Sequence, residues 1–519
     1  MTLRGDWKKL RSGILVPAAS TSTTTYEAAS QGRRLRTWRT PQTGPNTAIA
    51  YEMPVIRSRI RAAARNDPWM GAALDKSDAN GIGTGITCKM LNGTPELKAA
   101  VKQLWNLWAK QSDADGVLDW YGQQYLAWHE WHEVGEVFVR RRLRRLSDGL
   151  AVPMQIQLIE SEQVPSDLNT LASNGNQVRC GIEFDRIGRR VAYWMYREHP
   201  GEYSTRVNGT ELVRVPASEV LHLFRPLRAG QIRGIPDTVS VLVKAFNLDN
   251  LDDAVLERQK IANLFAGFYK KQVDDETPES IIDEMTDDEA ETDDDDIPLA
   301  GLEPGTMQEL PAGWDVSLSQ PPSPGTDYAE FLRGHLLAIA SRHGVPYEVL
   351  TGDLRNVSDR ALKLILNEFR RLLEMKQWLF FIPKMCQGVR EWWFDAAFMA
   401  GALPIDDDAY LEERDELVET LWVPQGWPYS HPVQDVQADR LAIRAGLTSR
   451  TKKILETGED PEQIDDEIAE DNARADRLGL VFDSDPRKTS SAGLTQARPA
   501  GSVIPSANTY TDKEEDGDA

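Results

Sequence analysis

Apolar residues recur at helical spacing in the first part of the chain. From residue 53 to residue 80 they follow a period of about 3.6 residues, broken once at Pro68. Residues 95–135 predict two further helices whose apolar faces are rich in tryptophan. Aromatic stripes at this spacing usually belong to a hydrophobic core, so these helices are expected to pack inside a folded domain.

The pattern then changes to the alternation typical of strands. Residues 136–143 and 154–160 alternate around a turn at 147–149, which predicts a hairpin whose outer face carries arginine. Three further strands are expected at 177–185, 190–197 and 212–224. Together these elements predict an α+β domain over about residues 50–230.

A long apolar series without glycine or proline follows Pro236. It runs to Ala266 and predicts a helix of about 30 residues, roughly 45 Å long. A second helix is expected at 328–343, after short strands at 307–310 and 314–318. One helix leading out and another leading back predict an αα-hairpin with a small domain at its tip.

The remaining segments differ in character. Residues 360–401 predict another long apolar helix, kinked or broken at Pro383. Residues 433–480 are acidic and helical in pattern, whereas 484–519 lack tryptophan and are expected to be disordered. Residues 1–50 are basic and show no sustained period, as expected of an N-terminal arm.

Composition supports a large folded protein of two to four domains. The chain has 519 residues, of which 41 % are hydrophobic, and 15 tryptophans. Its three cysteines, Cys88, Cys180 and Cys386, give neither a disulfide framework nor a C-x-x-C metal pair, which favours a reducing compartment. No signal-peptide pattern or membrane-spanning run is found, so secretion and membrane insertion are not expected.

Charge is divided unequally along the chain. Residues 1–250 carry 33 Lys and Arg against 25 Asp and Glu, and residues 251–519 carry 26 against 56. In the stretch 274–296, 14 of 23 residues are acidic, and no Lys or Arg occurs from 272 to 332. The candidate acidic residues of this stretch are Asp274, Asp275, Glu276, Asp287, Asp288, Asp293, Asp294, Asp295 and Asp296. A solvated acidic loop is the simpler interpretation, and a site for cations or a basic partner is the alternative.

Few residues suggest catalysis. His129 and His132 lie on one predicted helix with two glutamates, but their spacing of three differs from the H-E-x-x-H of zinc proteases. The glycines at 81, 83 and 85 follow a helix and lack the G-x-G-x-x-G spacing, so a helix stop and a tight turn are favoured over dinucleotide binding. No P-loop, G-x-S-x-G elbow or kinase motif occurs. A structural or interaction protein is therefore expected.

Several short stretches, each weak by itself, occur in a particular order between residues 25 and 480. They are Arg65-Asn66-Asp67-Pro68, Asn80 to Ile86, Gly135 to Val139, Val178 to Asp185, Arg189 to Tyr193, His222 to Pro226, Arg233 to Pro236, Gly344 to Glu348 and Val436 to Leu447. In this order they resemble the lambda-type portal proteins of tailed phages. Their collinearity makes the resemblance specific.

The resemblance implies a ring, typically of twelve subunits, at one vertex of the phage capsid. Double-stranded DNA would pass through its axial channel during packaging and ejection, without sequence specificity. The other implied partners are the terminase large subunit, the head–tail adaptor, and the major capsid and scaffold proteins. The resemblance implies no enzymatic activity, no cofactor and no membrane, and it places the protein in the virion after assembly in the host cytoplasm.

The resemblance also implies how the chain is divided. The parts are an arm at 1–49, a wing at 50–235 and 362–430, stem helices at 236–268 and 327–343, a clip with an acidic insertion at 269–326, a tunnel loop at 344–361, a helical crown at 431–480 and a disordered tail at 481–519. The acidic run would then repel DNA or attract a basic partner.

The tunnel loop implies a set of residues near the channel. These are Arg355, Asn356, Asp359, Arg360 and Lys363. Two other interpretations stay open at this point. One is a DNA-binding scaffold that uses the basic N-terminal region, and the other is a metal-dependent hydrolase that uses His129 and His132.

Overall fold

The computed structural model describes most of the chain between residues 42 and 482. The described residues are 7–9, 15–17, 37, 40, 42–202, 211–264, 268–271, 314–317, 328–355, 357–429, 431–482 and 487. The acidic stretch 274–296, Asn356 and the predicted strand at 307–310 lie outside these residues. So do most of the predicted arm and almost all of the predicted tail.

Four helices form the first part of the body. They are α1 (Pro45–Asn66), α2 (Pro68–Gly81), α3 (Pro95–Ala109) and α4 (Trp120–Val134). The predicted break at Pro68 is confirmed, and Asp67 caps the helix that follows, because its carboxylate accepts the backbone N–H groups of Trp69 and Met70. The turn after α2 keeps Gly83 and Gly85 at positive φ, as expected of a helix stop and tight turn.

Three short strands come earlier in the chain: β1 (Trp7–Lys9) and β2 (Leu15–Pro17) precede α1, and β3 (Thr87–Met90) lies between α2 and α3. Two antiparallel sheets follow the four helices. The first sheet has the order β11-β4-β5 and the second β10-β9-β8-β7-β6. Their strands are β4 (Glu136–Leu143), β5 (Met154–Ile159), β6 (Thr170–Leu171), β7 (Gln177–Arg179), β8 (Ile182–Phe184), β9 (Arg190–Tyr196), β10 (Leu212–Pro216) and β11 (Val220–Phe224).

Two of the predicted strands, 177–185 and 212–224, are wrong, because the structure divides each of them into two separate strands. The run 177–185 turns back at Cys180 and Gly181, which both have positive φ, so β7 and β8 form a hairpin with a two-residue turn. The run 212–224 is interrupted by a 3₁₀ turn at Ala217–Glu219, and its halves join different sheets. Alternation of apolar residues alone could not locate either turn.

Two long helices, α5 (Val239–Leu264) and α6 (Tyr328–His343), lie side by side and antiparallel. The Tyr328 hydroxyl at the start of α6 donates to the Asp252 carboxylate in the middle of α5. At the other end, the Arg342 guanidinium donates to the carbonyl of Asp237, just before α5. In the sequence between α5 and α6, β12 (Phe268–Lys271) pairs antiparallel with β13 (Trp314–Ser317). The segment that joins the two long helices therefore begins and ends with paired strands.

The last third of the chain is mostly helical. It contains α7 (Tyr347–Thr351), α8 (Asp359–Lys376), a π-helix (Gln377–Cys386), α9 (Gln387–Met399), α10 (Asp407–Val418), β14 (Thr420–Val423), α11 (Pro432–Arg444), α12 (Arg450–Glu456) and α13 (Pro461–Leu478). Strand β14 pairs with β3, which joins Val423 to Thr87 across the chain.

Pro383 does not break the helix, contrary to the sequence-based expectation. The chain stays helical from α8 through the π-helix into α9, and the Gln387 N–H bonds the Ile382 carbonyl five residues earlier. A wider turn keeps the proline ring away from the carbonyl of the preceding turn and tolerates its missing N–H group.

Tryptophan forms the centre of the larger core, as its helical spacing predicts. Trp105, Trp108, Trp120 and Trp393 are all buried, with ring centroids 4.9–6.4 Å apart. The buried Arg390 lies over the rings of Trp105 and Trp393, where a cation is attracted to the ring face. All three cysteines are free thiols.

A second buried centre is built on the carboxylate of Glu136. Arg233 binds it through Nη2 at 2.6 Å and Nε at 2.8 Å, and Arg57 through Nη2 at 2.8 Å. His222 Nε2 and the Gly234 N–H bond its other oxygen at 2.9 and 2.7 Å. The guanidinium of Arg233 also donates to the carbonyls of three other residues, Ser161, Val164 and Cys180. This Glu136 network joins α1, both sheets and the segment that leads into α5.

Two glycines allow the backbone to pass through this network. Gly135 ends α4 at φ +93°, and a Cβ added there would lie 2.4 Å from the backbone of Ile235. A Cβ on Gly234 would lie 2.1 Å from the Gly135 carbonyl oxygen. The two segments therefore approach to a distance that only glycine permits.

Removing the charge of Glu136 tests this centre. We expect Glu136→Gln to lower the free energy of unfolding by about 3–5 kcal/mol, because Arg57 and Arg233 would keep their charges in a buried site without a carboxylate. Urea unfolding followed by tryptophan fluorescence measures the change. Glu211→Gln is the control, since its pair with Arg197 is exposed and such pairs contribute under about 1 kcal/mol. Equal effects of the two substitutions would contradict the prediction.

The same network predicts a pH dependence. Burial lowers the pKa of His222 to about 4, so the folded protein keeps this imidazole neutral while an unfolded histidine binds a proton below about 6.5. Stability should therefore fall as the pH falls from about 6.5 towards 4. In His222→Gln, the slope of the logarithm of the unfolding constant against pH should decrease by up to one proton over this interval. An unchanged slope would show that His222 does not titrate in this way.

Candidate functional site

The loop expected near a channel lies between α6 and α8. Gly344 at φ +75° ends α6, the short helix α7 follows, and Gly352 at φ +70° turns the chain outward. After it, Arg355 binds the Asp353 carboxylate through Nε and Nη2 at 2.8 and 2.9 Å. This exposed guanidinium lowers the pKa of Asp353 to about 2.

The predicted channel residues do not all share one surface. Arg355, Asp359 and Arg360 are exposed, the last two in the first turn of α8, which Ser358 caps. Lys363 instead turns towards α11, where its ammonium lies 3.3 Å from the Asp435 carboxylate. Asn356 lies outside the described residues. Three of the five are therefore exposed, and their place at a channel stays a prediction.

The outward faces of the two long helices carry apolar side chains. Val243, Phe246 and Leu256 on α5 are 64, 66 and 58 % exposed, and Phe331 and Leu337 on α6 are also exposed. Charged side chains of α5 lie among them. The pair of helices thus covers only part of its own apolar surface.

A buried cluster of charged groups lies where the two long helices leave the body. The Lys376 ammonium donates to Nε2 of His132 at 2.9 Å and lies 3.6 Å from the Asp237 carboxylate. Arg225 binds the other oxygen of Asp237 at 2.6 Å. Burial lowers the pKa of Lys376 to about 8 and that of the nearby His343 to about 4. This cluster connects α4, α5, α6 and the end of α8.

The proposed histidine pair does not form a metal site. Nδ1 of His129 lies 2.6 Å from the buried Asp78 carboxylate, while His132 bonds the Trp128 carbonyl and Lys376. The two rings therefore face different partners, and a buried ammonium occupies the place where an ion would bind His132. Spacing along the helix could not reveal these partners from α2 and α8.

A different group is the one set of three potential metal ligands found among the described residues. It consists of Glu160, Glu162 and His199, whose ligand atoms lie within 4.8 Å of one another. Arg61 already binds Glu162 through Nε and Nη2 at 2.8 and 3.0 Å. The same guanidinium binds the buried Glu130 and Glu133 of α4. Burial raises the pKa of Glu130 to about 7.

The sequence reasoning missed a groove of about 720 Å³ between α8, β14 and the helices α11 and α12. Its floor is partly aromatic, and Arg370 lies over the Trp427 ring at 4.9 Å. The neighbouring helix α11 has no buried residue and exposes apolar side chains such as Val436 and Leu441. Only the density of aromatic residues at 422–429 could have indicated this groove.

No helix among the described residues is long and apolar enough to cross a membrane.

Comparison with known proteins adds the family. Residues 31–377, about two thirds of the chain, match the family described as phage portal protein, lambda family. The probable portal protein of Halomonas phage phiHAP-1 is 28 % identical over 476 residues, which cover 89 % of this chain and 88 % of the relative. Portal protein B of Escherichia phage lambda is 20 % identical over 471 residues, which cover 83 and 86 %.

Comparison with solved structures gives two further similarities. The neck of an empty gene transfer agent particle, computed with C6 symmetry, has a TM-score of 0.40 at 15 % identity, covering 78 % of this chain and 93 % of the other. A portal protein of the HK97 family from Corynebacterium diphtheriae has a TM-score of 0.27 at 13 % identity, covering 59 and 83 %.

The family match confirms the resemblance that the short collinear stretches indicate. The matched residues include the whole Glu136 network and end at the first residue of the π-helix. The alternative of a metal-dependent hydrolase is not supported, since its two histidines bind other groups. The chain belongs to the lambda family of phage portal proteins, which are structural proteins of the phage particle and not enzymes.

Proposed function

We propose that twelve copies of this chain form a ring at one capsid vertex and that double-stranded DNA passes through its axial channel. The observation that carries the proposal is the antiparallel pair α5 and α6, on which Val243, Phe246 and Leu256 are more than half exposed in the described part of the chain. Neighbouring copies in a ring would cover these side chains, since apolar surface is stabilised by removal from water. Family membership supports the same assembly.

The parts of the chain would divide as follows. Residues 50–235 and 362–430 form the wing, 236–268 and 327–343 the stem, 269–326 the clip, 344–361 the tunnel loop and 431–480 the crown. In this arrangement the helices α5 and α6 are the stem, and the exposed apolar side chains of α11 contact another copy within the crown. The acidic stretch 274–296 would belong to the clip. Its role, either to repel DNA or to attract a basic partner, stays a prediction.

Charge at the tunnel loop fits a sliding contact. Arg355 is balanced by Asp353, and Arg360 follows Asp359, so each exposed cation of the loop has a carboxylate nearby. Each phosphate neutralised by a protein cation adds to affinity through release of counterions. A nearly balanced loop therefore touches the DNA backbone without holding it in place.

The remaining partners follow from the portal role. The terminase large subunit and the head–tail adaptor would dock on the ring, and the major capsid and scaffold proteins would surround it. Assembly would take place in the host cytoplasm. A DNA-binding scaffold that uses the basic N-terminal arm is the alternative, and a monomer that binds duplex DNA would favour it.

Native mass tests the ring directly. Twelve copies of the 58.2 kDa chain give about 700 kDa, which native mass spectrometry or light scattering would detect. We expect Phe246→Glu to shift the mass towards smaller species, because it places a charge in the contact between copies. Ile187→Glu is the control, since this exposed side chain lies at a hairpin turn of the wing. A monomeric wild type over a range of salt and concentration would contradict the proposal.

A bulky group at the tunnel loop tests its place in the channel. We expect Arg360→Cys, labelled with a large maleimide, to abolish packaging, because twelve such groups would fill a narrow channel. The native thiols are sheltered, with Cys180 and Cys386 buried and Cys88 half-buried. The readout is nuclease-protected DNA in proheads that carry the labelled ring, with labelled Glu211→Cys as the control. Equal packaging by both rings would show that α8 does not begin at the channel.

A further inference from the structure

The hairpin of β4 and β5 carries five arginines within six residues. They are Arg140, Arg141, Arg142, Arg144 and Arg145. Arg141 points to the core side, where its guanidinium lies over Trp392 at 5.4 Å. The strand register places Arg140 opposite Gln157 and Arg142 opposite Gln155, so both arginines share the other face of the sheet. Arg144 continues this row beyond the strand. We call Arg140, Arg142 and Arg144 the arginine row.

Glutamines, not carboxylates, bind two of the three arginines in the row, Arg142 and Arg144. Arg142 donates through Nε and Nη2 to Oε1 of Gln157, at 2.9 and 2.5 Å. Arg144 donates through Nε to Oε1 of Gln155 at 2.8 Å. Both glutamines are themselves anchored, since Gln155 donates to the carbonyls of Gln111 and Asp113, and Gln157 donates to the Asp115 carboxylate. These two guanidinium groups are thus oriented by neutral amides and not by a direct ion pair.

Several other arginines in the same domain do bind carboxylates. Arg57, Arg61 and Arg233 each bind a buried or half-buried carboxylate, and the exposed Arg189 pairs with Asp185. Within the part of the chain that the structure describes, no arginine of the row forms an ion pair. Nε of Arg140 is buried and has no hydrogen-bond partner there. The row therefore places three mutually repelling guanidinium groups side by side, with Asp115 and Glu219 nearby but no carboxylate of the described residues in direct contact.

We propose that the arginine row binds the phosphate backbone of double-stranded DNA, at a site separate from the tunnel loop. Alternate residues of a strand are about 6.8 Å apart. The charges of the row are therefore spread along a line, as the phosphates of one DNA strand are. A guanidinium with one edge held by glutamine still offers its other N–H groups to a phosphate oxygen. Contacts of this kind position DNA without reading its sequence.

The chemistry of the face favours nucleic acid over an acidic protein. Gln155 and Gln157 lie opposite the arginines of the row, the carboxylates of Asp115 and Glu219 lie nearby without forming an ion pair with them, and the exposed Leu143 belongs to the opposite face of the strand. Protein interfaces take most of their binding energy from a few anchors, chiefly Trp, Tyr and Arg, and the row offers arginine without an exposed aromatic or apolar side chain between its members. A row of phosphates needs only charge and hydrogen-bond donors. The inference rests on the proposed function solely for the presence of double-stranded DNA near the protein.

The salt dependence of DNA binding tests the row. The probe is a fluorescently labelled 30-base-pair duplex, titrated with the full-length protein at several salt concentrations. In the variant Arg140→Gln, Arg142→Gln, Arg144→Gln, we expect the slope of log K against log salt to decrease in magnitude by about 2.7, since each lost phosphate contact removes about 0.9. The matching lysine variant keeps the charges, so its slope should stay close to that of the wild type.

A control with the same change in net charge separates the row from a general charge effect. Arg189→Gln, Arg197→Gln, Arg371→Gln removes three exposed arginines that are paired with carboxylates, and should change the slope by less than about one. Equal slopes for this control and the row variant would overturn the proposal. Loss of binding to poly-glutamate with an unchanged DNA slope would overturn it as well, in favour of an acidic protein partner.

The native mass of each sample separates this inference from the ring. If the wild type is monomeric but the row variant loses its DNA slope, the ring proposal fails and the DNA site stands. If the ring forms and the slope does not change, the site fails and the ring stands.

Discussion

The burial of one carboxylate, that of Glu136, constrains the rest of the body. A buried charge is tolerated only when it is fully paired, and its partners come from positions 57, 161, 222, 233 and 234. Each of these segments must be in place before the charge is compensated. Helix α1, the two sheets and the start of α5 therefore have one joint arrangement, and the segment that leads into α5 is fixed by a charge rather than by apolar packing alone.

Much of the fold could be predicted from patterns along the sequence. Helical spacing predicts α1 to α6, and the stop at Pro68 follows from proline chemistry. The turn at Cys180 could not be predicted, because a non-glycine residue at positive φ gives no compositional signal. The unbroken helix at Pro383 was missed because the π-helix depends on packing around it. Pairing of β3 with β14 joins residues too distant in sequence for any local pattern.

The candidate site was less predictable than the fold. The order of short stretches indicates the family, and two of them, at 135–139 and 233–236, meet in the Glu136 network. The pairing of Lys363 with Asp435 depends on how α11 packs, so sequence alone could not predict it. The partners of His129 and His132 come from distant helices for the same reason. Arginine on the β4–β5 hairpin was visible in the sequence, but its neutral glutamine partners required the register.

The pairing of β3 with β14 has a consequence for synthesis in the cell. Thr87 and Val423 are joined across the sheet, so the body stays incomplete until the later strand has left the ribosome. At about 5–20 residues per second, this delay is on the order of 17 to 67 s. Helices α5 and α6, with their apolar faces, are translated within that interval, before β14 can pair with β3 and complete the body. A nascent chain therefore cannot offer a finished subunit to its neighbours, and association of copies is delayed until translation is nearly complete.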